Sequence, residues 1–157
     1  MAKILAIASD HAGVQYKKDL IDYLCKKGYS CINLGTDTED SVDYPFYADA
    51  VCRKVTDGEA DLGILICGTG IGMSIAANKH KGIRAGLCGD PDSASLTRQH
   101  NNANVLCMGA RVISFELACE ITDIFLSTPA LDEERHRRRV KMIEDLEKGV
   151  FDEANYN

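Results

Sequence analysis

Hydrophobic and polar positions form two kinds of segment along the chain, short apolar runs and longer amphipathic stretches. Near-continuous apolar runs such as Ile4–Ala8 and Ile64–Ile66 are typical of strands that are covered on both faces. Five segments are predicted as strands: Lys3–Ser9, Tyr29–Leu34, Asp61–Cys67, Ile83–Cys88 and Asn104–Met108. The predicted helices are Gly13–Lys27, Pro45–Thr56, Ile71–Asn78, Pro91–Gln99, Phe115–Leu126 and a last helix from an N-cap at Asp132 to Lys148.

The alternation of strands and helices predicts an α/β fold. Strands joined in this way form a parallel sheet with right-handed crossovers and helices on both faces. We expect a three-layer sandwich with a five-stranded parallel sheet in the order 2-1-3-4-5 and an additional C-terminal helix. The 157 residues suit one domain, so residues 1–157 are interpreted as a single unit.

In sheets of this kind, ligands bind beyond the carboxyl ends of the strands, where the strand order reverses. In the predicted order this position lies between strands one and three. The ends of these strands carry Asp10 and His11 on one side and the segment Cys67–Gly72 on the other. Taken singly, Asp10 is explained as a helix cap and His11 as a loop residue. Because Asp10 and His11 are predicted to lie beside the segment Cys67–Gly72, the interpretation as a ligand site is favoured.

The segment Cys67–Gly72 turns an apolar strand into a helix through three alternating glycines. Glycine lets the backbone approach a ligand, and the first amides of a helix attract negative charge. The same amides favour the thiolate of Cys67, which can accept a proton or attack a carbon. The dinucleotide motif GxGxxG does not fit, because Met73 stands where a small residue is required. A core cysteine before an ordinary glycine turn is the alternative.

Composition narrows the class of protein. A 45% hydrophobic and 27% charged chain is typical of globular proteins, and a net charge of −6 argues against general binding to nucleic acid or membrane surfaces. We expect no signal peptide and no membrane span, because no apolar run reaches about 20 residues. Seven dispersed cysteines without a CxxC pair indicate reduced thiols and a cytoplasmic protein. Four scattered histidines without HxH or HExxH spacing predict no metal site.

A basic cluster, residues 135–139, lies in the last predicted helix. At ~100° per residue, Arg135 and Arg139 point in the direction of Leu146, whereas Arg137 points nearly opposite. An arginine on an apolar stripe needs an anionic partner, because burying it unpaired costs several kcal/mol. The pair spaced by four residues therefore predicts a two-pronged clamp for a phosphate. A solvated helix face is the alternative.

His100 presents a different problem. The helix after strand four runs back to the amino edge of the sheet, so His100 is expected at the opposite edge from Cys67. It is either a structural loop residue or part of the active site of a neighbouring subunit. We favour the second interpretation, because an imidazole followed by amides such as Asn101 suits sugar hydroxyls and their protons. This second interpretation requires an assembly of at least two copies of the chain.

Nine motifs follow one another from Lys3 to about Lys148: Ser9–Gly13, Asn33–Thr36, Asp43–Pro45, Ile66–Gly72, Ala76–Lys79, Gly82–Ala85, Ser95–Asn101, Gly109–Val112 and Arg135–Val140. In this order they resemble the type B ribose-5-phosphate isomerases, a family that also includes the galactose-6-phosphate isomerase subunits. The resemblance implies a cofactor-free aldose–ketose isomerase with a Rossmann-like fold. It also implies a dimer or tetramer whose active sites are shared between subunits.

The resemblance implies a role for each matching residue. Cys67 would move a proton between C2 and C1 of the sugar, and His100 would open the sugar ring. We expect Thr69 or Asp43 to assist ring opening. The expected substrate-binding residues are Asp10, His11, Tyr44, Gly68, Thr69, Gly70, Ile71, Gly72, Asn101, Arg111, Arg135 and Arg139.

One departure leaves the identity of the sugar open. Many family members have Gly-Gly before the Arg-His pair, whereas this chain has Glu133 and Glu134. Two carboxylates beside a phosphate clamp repel the ligand unless they turn away or neutralise a spare arginine such as Arg138. Ribose 5-phosphate is the expected substrate, and a hexose 6-phosphate of the allose or galactose type is the alternative.

Two other classes of protein fit the sequence less well. A phosphate-binding module without turnover has no use for both Cys67 and His100, and a cysteine-dependent hydrolase would need an acyl site that the sequence does not display.

Overall fold

The computed structural model describes residues 3–156. In this range it contains five strands: β1 (Ile4–Ser9), β2 (Ser30–Asn33), β3 (Leu62–Cys67), β4 (Ala85–Leu87) and β5 (Val105–Gly109). The α-helices are α1 (Val14–Lys26), α2 (Tyr44–Thr56), α3 (Ile71–Ala77), α4 (Pro91–Asn101), α5 (Phe115–Ser127) and α6 (Glu134–Lys148). Every predicted strand and helix is therefore present. The predicted N-cap of the last helix is wrong by one residue: Glu133 is the N-cap, and the Asp132 carboxylate pairs with Arg137 instead.

The fold class is confirmed, because all strand pairs are parallel and helices cover the sheet. The predicted order 2-1-3-4-5 is wrong at its last two positions, since the observed order is β2-β1-β3-β5-β4. Every residue of β5 is buried, whereas β4 has three residues that are all half-buried or exposed. The interior of a parallel sheet is covered on both faces, so the more apolar strand takes the interior position and the short strand the edge.

Side chains on alternate strand positions divide between two cores, one on each face of the sheet. One core is formed with α1 and α5, and its members include Leu5, Ile7, Leu20, Leu24, Ile64, Ile66, Leu106, Met108 and Phe125. The other is formed with α2 and α3, and its members include Ala6, Ala8, Val51, Leu65, Cys67, Met73, Val105 and Cys107. Cys67 therefore lies on the α2–α3 face at the end of its strand.

Two edges of the sheet matter for function. At the carboxyl edge, β1 and β3 are neighbours with Ser9 opposite Ile66, so the residues after both strands meet there. At the amino edge, α6 packs against α4. Among residues 3–156, no helix combines the length and the apolar character needed to cross a membrane.

Candidate active site

Asp10 and His11 lie at the carboxyl edge of the sheet, directly after β1. The Asp10 main-chain N–H donates to the carbonyl of Ile66 at 3.1 Å, which ties the end of β1 to β3. The Asp10 carboxylate accepts the N–H of Ala12 at 2.9 Å and caps a short 3-10 turn, His11–Gly13. The structure therefore brings these residues to the end of β3, as the topology predicts. The capping interpretation of Asp10 also holds.

Cys67 is the last residue of β3 and is 5% exposed. The main-chain N–H of Gly70, at the start of α3, donates to the Cys67 sulfur at 3.1 Å. The Cys67 carbonyl accepts the N–H of Ala110 at 2.9 Å, and the Gly68 carbonyl accepts the N–H of Arg111 at 2.9 Å. The sulfur is therefore held by main-chain bonds to its own loop and to the segment after β5. The sulfur therefore faces a main-chain donor at the start of α3.

In the glycine loop, Gly68–Gly72, the position of Gly70 is packed too closely for a side chain. Gly70 has φ 78°, and a Cβ on it would lie 2.5 Å from the Leu87 side chain and 2.8 Å from the main chain of Met108. A Cβ on Gly109 would lie 2.6 Å from the main chain of Thr69. The loop therefore rests directly on β5, and this contact depends on the observed strand order.

The segment before α2 supplies a second wall of the crevice. The Val42 main-chain N–H donates to His11 Nδ1 at 3.2 Å, and the ring of Tyr44 lies against Gly72. Asp43 is the N-cap residue of α2, and its exposed carboxylate makes no capping bond. Asp43 and Tyr44 are thereby placed beside residues from both β1 and β3.

Two further predicted residues complete this edge. Thr69 is exposed, and its hydroxyl accepts the N–H of Ile71 at 3.3 Å. The Arg111 side chain lies over Gly68, where a Cβ would be 3.4 Å from the guanidinium. The candidate base, the glycine loop and one arginine therefore belong to the same copy of the chain.

Other cysteines differ from Cys67 in their surroundings. Burial raises the pKa of Cys52 to about 12 and the pKa of Cys88 to about 11, and it also raises the pKa of Cys107. These three side chains remain thiols at neutral pH. Cys67 is distinguished by its main-chain N–H donor and its position at the crevice.

His100 lies in the last turn of α4 and stacks on His136 of α6, with ring centroids 4.3 Å apart and planes 7° from parallel. His136 is 4% exposed, and neither of its ring nitrogens has a hydrogen-bond partner in the described chain. Burial lowers the pKa of His136, and the nearby His100 and Arg135 lower it further. The stack joins α4 to α6 at the amino edge.

A single copy does not bring His100 to Cys67. Gly63 is opposite Val105 and Cys67 is opposite Gly109, so four residue steps separate the two edges along these strands. At about 3.3 Å per residue this distance is about 13 Å. His100 precedes the amino end of β5, and the expectation that it lies at the opposite edge from Cys67 is confirmed. Asn101 is at the same edge, where its carbonyl accepts Arg84 Nε at 3.0 Å.

The apolar stripe of α6 is uncovered in a single copy. On α6, Ile143 is 42% exposed and Leu146 is 61% exposed; Val150, which follows the helix after Gly149, is also 61% exposed. The side chain of Arg135 is 60% exposed, and Arg139 is also exposed. The expected burial of these arginines is therefore wrong for one copy, because the buried face of α6 is the one that carries His136.

Glu133 pairs with an arginine of the predicted clamp. Its carboxylate is 2.7 Å from Arg135 Nε, whereas the sequence suggested Arg138 as a partner. Asp132 pairs with Arg137, the arginine predicted to stand apart from the clamp. The carboxylates at the start of α6 are thus distributed between the two faces of the helix.

Sequence reasoning missed Lys17 and gave His136 no separate role. Lys17 is fully buried on α1, where it continues the buried row of Leu20 and Leu24. A lysine at a core position of an amphipathic helix was the available signal. Within residues 3–156, no cluster of three or more His, Cys, Asp or Glu side chains could hold a metal ion.

Known proteins resemble the chain over nearly its whole length. A family model described as Ribose/Galactose Isomerase matches residues 5–143. Ribose-5-phosphate isomerase B of Escherichia coli (strain K12) is 46% identical over 146 residues, which cover 93% of this chain and 97% of that protein. The galactose-6-phosphate isomerase subunit LacB of Clostridium acetobutylicum is 36% identical over 156 residues, covering 98% and 90% of the two chains.

Solved structures agree with this result. The ribose 5-phosphate isomerase of Thermotoga maritima matches with a TM-score of 0.89 at 52% identity, covering 92% of this chain and 99% of that chain. The type B ribose 5-phosphate isomerase of Leishmania infantum matches with a TM-score of 0.91 at 46% identity, covering 95% and 99%. The chain therefore belongs to the ribose/galactose isomerase family, a family of sugar-phosphate isomerases.

Proposed function

We propose that the chain interconverts ribose 5-phosphate and ribulose 5-phosphate through an enediolate. The observation that carries this proposal is the Cys67 sulfur, which accepts the Gly70 N–H in the crevice beside Asp10 and His11. A sulfur held in this way is a proton acceptor positioned next to polar groups that suit sugar hydroxyls. Relatives named ribose-5-phosphate isomerase support the pentose as the substrate.

The first step is opening of the furanose ring. His100 of a second copy donates a proton to the ring oxygen, and Thr69 or Asp43 assists in removing the proton of the anomeric hydroxyl. The two assisting side chains are exposed at the carboxyl edge. A positioned acid or base contributes about 10²–10⁴ in rate.

The second step is proton transfer between carbons. The Cys67 thiolate removes the C2 proton of the open aldose, which leaves an enediolate. A proton passes from O2 to O1, and the resulting thiol returns its proton to C1, which gives the ketose. Main-chain N–H groups of the loop Gly68–Gly72 face the developing negative charge in this proposal. Donors of this kind contribute about 10²–10³ in rate.

The phosphate is bound by arginines from both copies. Arg111 lies over the glycine loop of the first copy. Arg135 and Arg139 belong to α6 of the second copy, and the stack of His100 on His136 links them to the ring-opening histidine. A copy that delivers His100 therefore delivers the clamp with it. Binding of the unreacting phosphate holds C1 and C2 near the sulfur.

Four residues contact the sugar in this proposal: Asp10, His11, Tyr44 and Asn101. The second copy is supported by the uncovered apolar stripe of Ile143, Leu146 and Val150, which a partner surface would bury. We propose a homodimer, or a dimer of dimers, as the active form in the cytoplasm, with no cofactor, nucleic acid or membrane as partner.

A hexose 6-phosphate isomerase is the second candidate. The galactose-6-phosphate isomerase subunit at 36% identity and the Glu133–Arg135 pair at the clamp favour it. The phosphate of a hexose 6-phosphate is farther from C1 than that of a pentose 5-phosphate. Because Glu133 partly neutralises Arg135, it affects which arginine of the clamp holds that phosphate. The pentose is preferred because the relatives that carry its name are more similar, at 46% and 52% identity.

The test is ketose formation from ribose 5-phosphate, allose 6-phosphate and galactose 6-phosphate, each with and without EDTA. Product from the pentose alone, unaffected by EDTA, is the expected result. Faster turnover of either hexose 6-phosphate would contradict the assignment of ribose 5-phosphate as the substrate. Saturable binding of a sugar phosphate without product would indicate a binding module and contradict the enzyme proposal.

The proton-transfer mechanism has its own test. When the reaction runs in D₂O, deuterium is expected at C1 of ribulose 5-phosphate, because a proton held on sulfur exchanges with solvent. Complete retention of the C2 hydrogen would point to hydride transfer and contradict a cysteine base.

A further inference from the structure

Lys17 is a fully buried charge on α1. Its ammonium donates to Asn33 Oδ1 at 2.8 Å, to the Thr36 carbonyl at 2.7 Å and to Asp37 Oδ1 at 2.5 Å. These bonds use all three ammonium protons. A buried charge is tolerated only with such partners, so the geometry of the three acceptors is strongly specified.

All three acceptors belong to the end of β2 and the loop that follows it. Asn33 reinforces the arrangement, since its amide nitrogen donates to Asp37 Oδ1 at 3.0 Å. The loop is also joined to the end of β1, because the Thr36 N–H donates to the Ser9 carbonyl at 2.8 Å. Lys17 therefore fixes this loop against the same segment that leads into His11.

The far end of the loop reaches the His11 ring. The Val42 N–H donates to His11 Nδ1 at 3.2 Å. A nitrogen that accepts this bond carries a lone pair, so the neutral ring has its proton on Nε2. The main chain of the loop thus selects one tautomer and makes Nε2 a hydrogen-bond donor.

We propose that Lys17 is a positioning residue, whose buried ammonium holds the loop so that Val42 keeps His11 as a donor to a substrate oxygen, either hydroxyl or phosphate. This inference rests on the proposed function in one respect, the role of His11 as a substrate-binding residue. The tautomer itself is a property of the protein without substrate.

The first test is ¹⁵N NMR of the histidine side chains in the ligand-free protein, with the His11 signals assigned by their loss in His11→Gln. A single tautomer protonated on Nε2 is expected in the wild-type protein. Lys17→Met removes the ammonium, and Val42→Pro removes the N–H donor. Both are expected to give a mixture of tautomers or rapid exchange between them.

Two matched controls separate positioning from general destabilisation. Leu20→Ala opens a cavity on the same helix, and Val42→Ala retains the N–H donor. Both are expected to keep the wild-type tautomer. A wild-type ring protonated on Nδ1, or an unchanged tautomer in Lys17→Met and Val42→Pro, would overturn the proposal. If Leu20→Ala also lost the single Nε2-protonated tautomer, the effect of Lys17→Met would be explained by general destabilisation of α1 and not by positioning.

The second test uses turnover. Lys17→Met and Val42→Pro are expected to raise KM for the preferred sugar phosphate about tenfold, as for loss of one charge-assisted hydrogen bond, with a smaller change in kcat. Leu20→Ala is expected to leave KM unchanged. An unchanged KM in both loop variants would contradict the link to substrate. If no sugar phosphate is turned over at all, the proposed function fails while the NMR result still decides the role of Lys17.

Discussion

At the carboxyl edge of the sheet, Cys67 accepts a main-chain N–H, and its loop is bonded to the segment after β5. At the amino edge, the ring nitrogens of the buried His136 have no hydrogen-bond partner in the described chain, and the nearest carboxylate, Glu133, is 3.7 Å from Nε2. The Cys67 sulfur therefore has its hydrogen-bond partner within one copy, although the buried Ser9 hydroxyl at the same edge has none in the described chain. The amino edge also leaves an apolar stripe and two arginines exposed. This exposure supports the proposal that a second copy covers the amino edge.

The same comparison explains why the proposed chemistry needs two copies. The candidate base lies at one edge and the candidate acid at the other, where α6 with its phosphate clamp packs against α4. The two edges are separated along β3 and β5 by four residue steps, or about 13 Å. Neither edge alone carries the full set of groups. The following predictions test the division between the edges.

Removing the thiol gives the strongest expected loss. Cys67→Ala is expected to lower kcat by ~10²–10⁴, because the positioned base is lost, while substrate affinity changes little. Initial rates and calorimetric binding measure the two effects. Cys52→Ala is the control, since this buried thiol lies outside the crevice and its pKa is raised to about 12. Near-normal turnover in Cys67→Ala would exclude the thiol as the base.

Mixing two inactive variants tests whether the edges meet across an interface. Cys67→Ala and His100→Asn each disable one edge, and a heterodimer of the two retains one intact site. Random exchange is expected to restore about one quarter of the wild-type activity, because half of the dimers are mixed and each has one working site. Mass spectrometry of differently labelled subunits confirms the exchange. Exchange without recovery would place both groups in one copy.

Breaking the ion pair between Glu133 and Arg135 of the clamp is expected to change activity less than the two preceding tests. Glu133→Gln removes the exposed ion pair with Arg135 and is expected to lower KM for the sugar phosphate up to about fivefold, since such pairs contribute about 0–1 kcal/mol. Asp132→Asn is the matched control, because it releases Arg137 on the other face. A raised KM in Glu133→Gln would show that the carboxylate helps to position the clamp.

The weakest expected effect is on the pH dependence of stability. The pKa of His136 is lowered in the folded protein, so below about pH 6.5 the unfolded chain binds more protons at this residue. The free energy of unfolding therefore falls as the pH drops through about 6.5 and levels off below the folded pKa. Urea midpoints are expected to fall less with acidification in His136→Gln than in the wild type. Equal falls would remove His136 from the acid response.

The elements of the fold were predictable, because each strand and helix has its own hydrophobic period. The relative places of β4 and β5 were not predictable from those periods. A local pattern shows that Val105–Gly109 is apolar, but both strand orders are compatible with it. The order depends on which strand gains more from burial, which is a comparison between distant segments.

Part of the candidate site was likewise predictable from the sequence, and part was not. Topology was sufficient to bring Asp10 and His11 to Cys67, because parallel strands end at a common edge. The stack of His100 on His136 and the hydrogen bond from Lys17 to the Thr36 carbonyl join residues that are far apart in sequence. No periodic pattern encodes those contacts.

The close packing of the glycine loop has a consequence for how substrate is received. Gly70 lies against Met108 and Gly109 lies against Thr69, so the loop is seated directly on the end of β5 in the chain without substrate. In the proposed reaction, amide dipoles that are already oriented in the free protein lower the reorganisation free energy of the proton-transfer step. In the proposed dimer, the segments that the second copy contributes would then control the access of solvent.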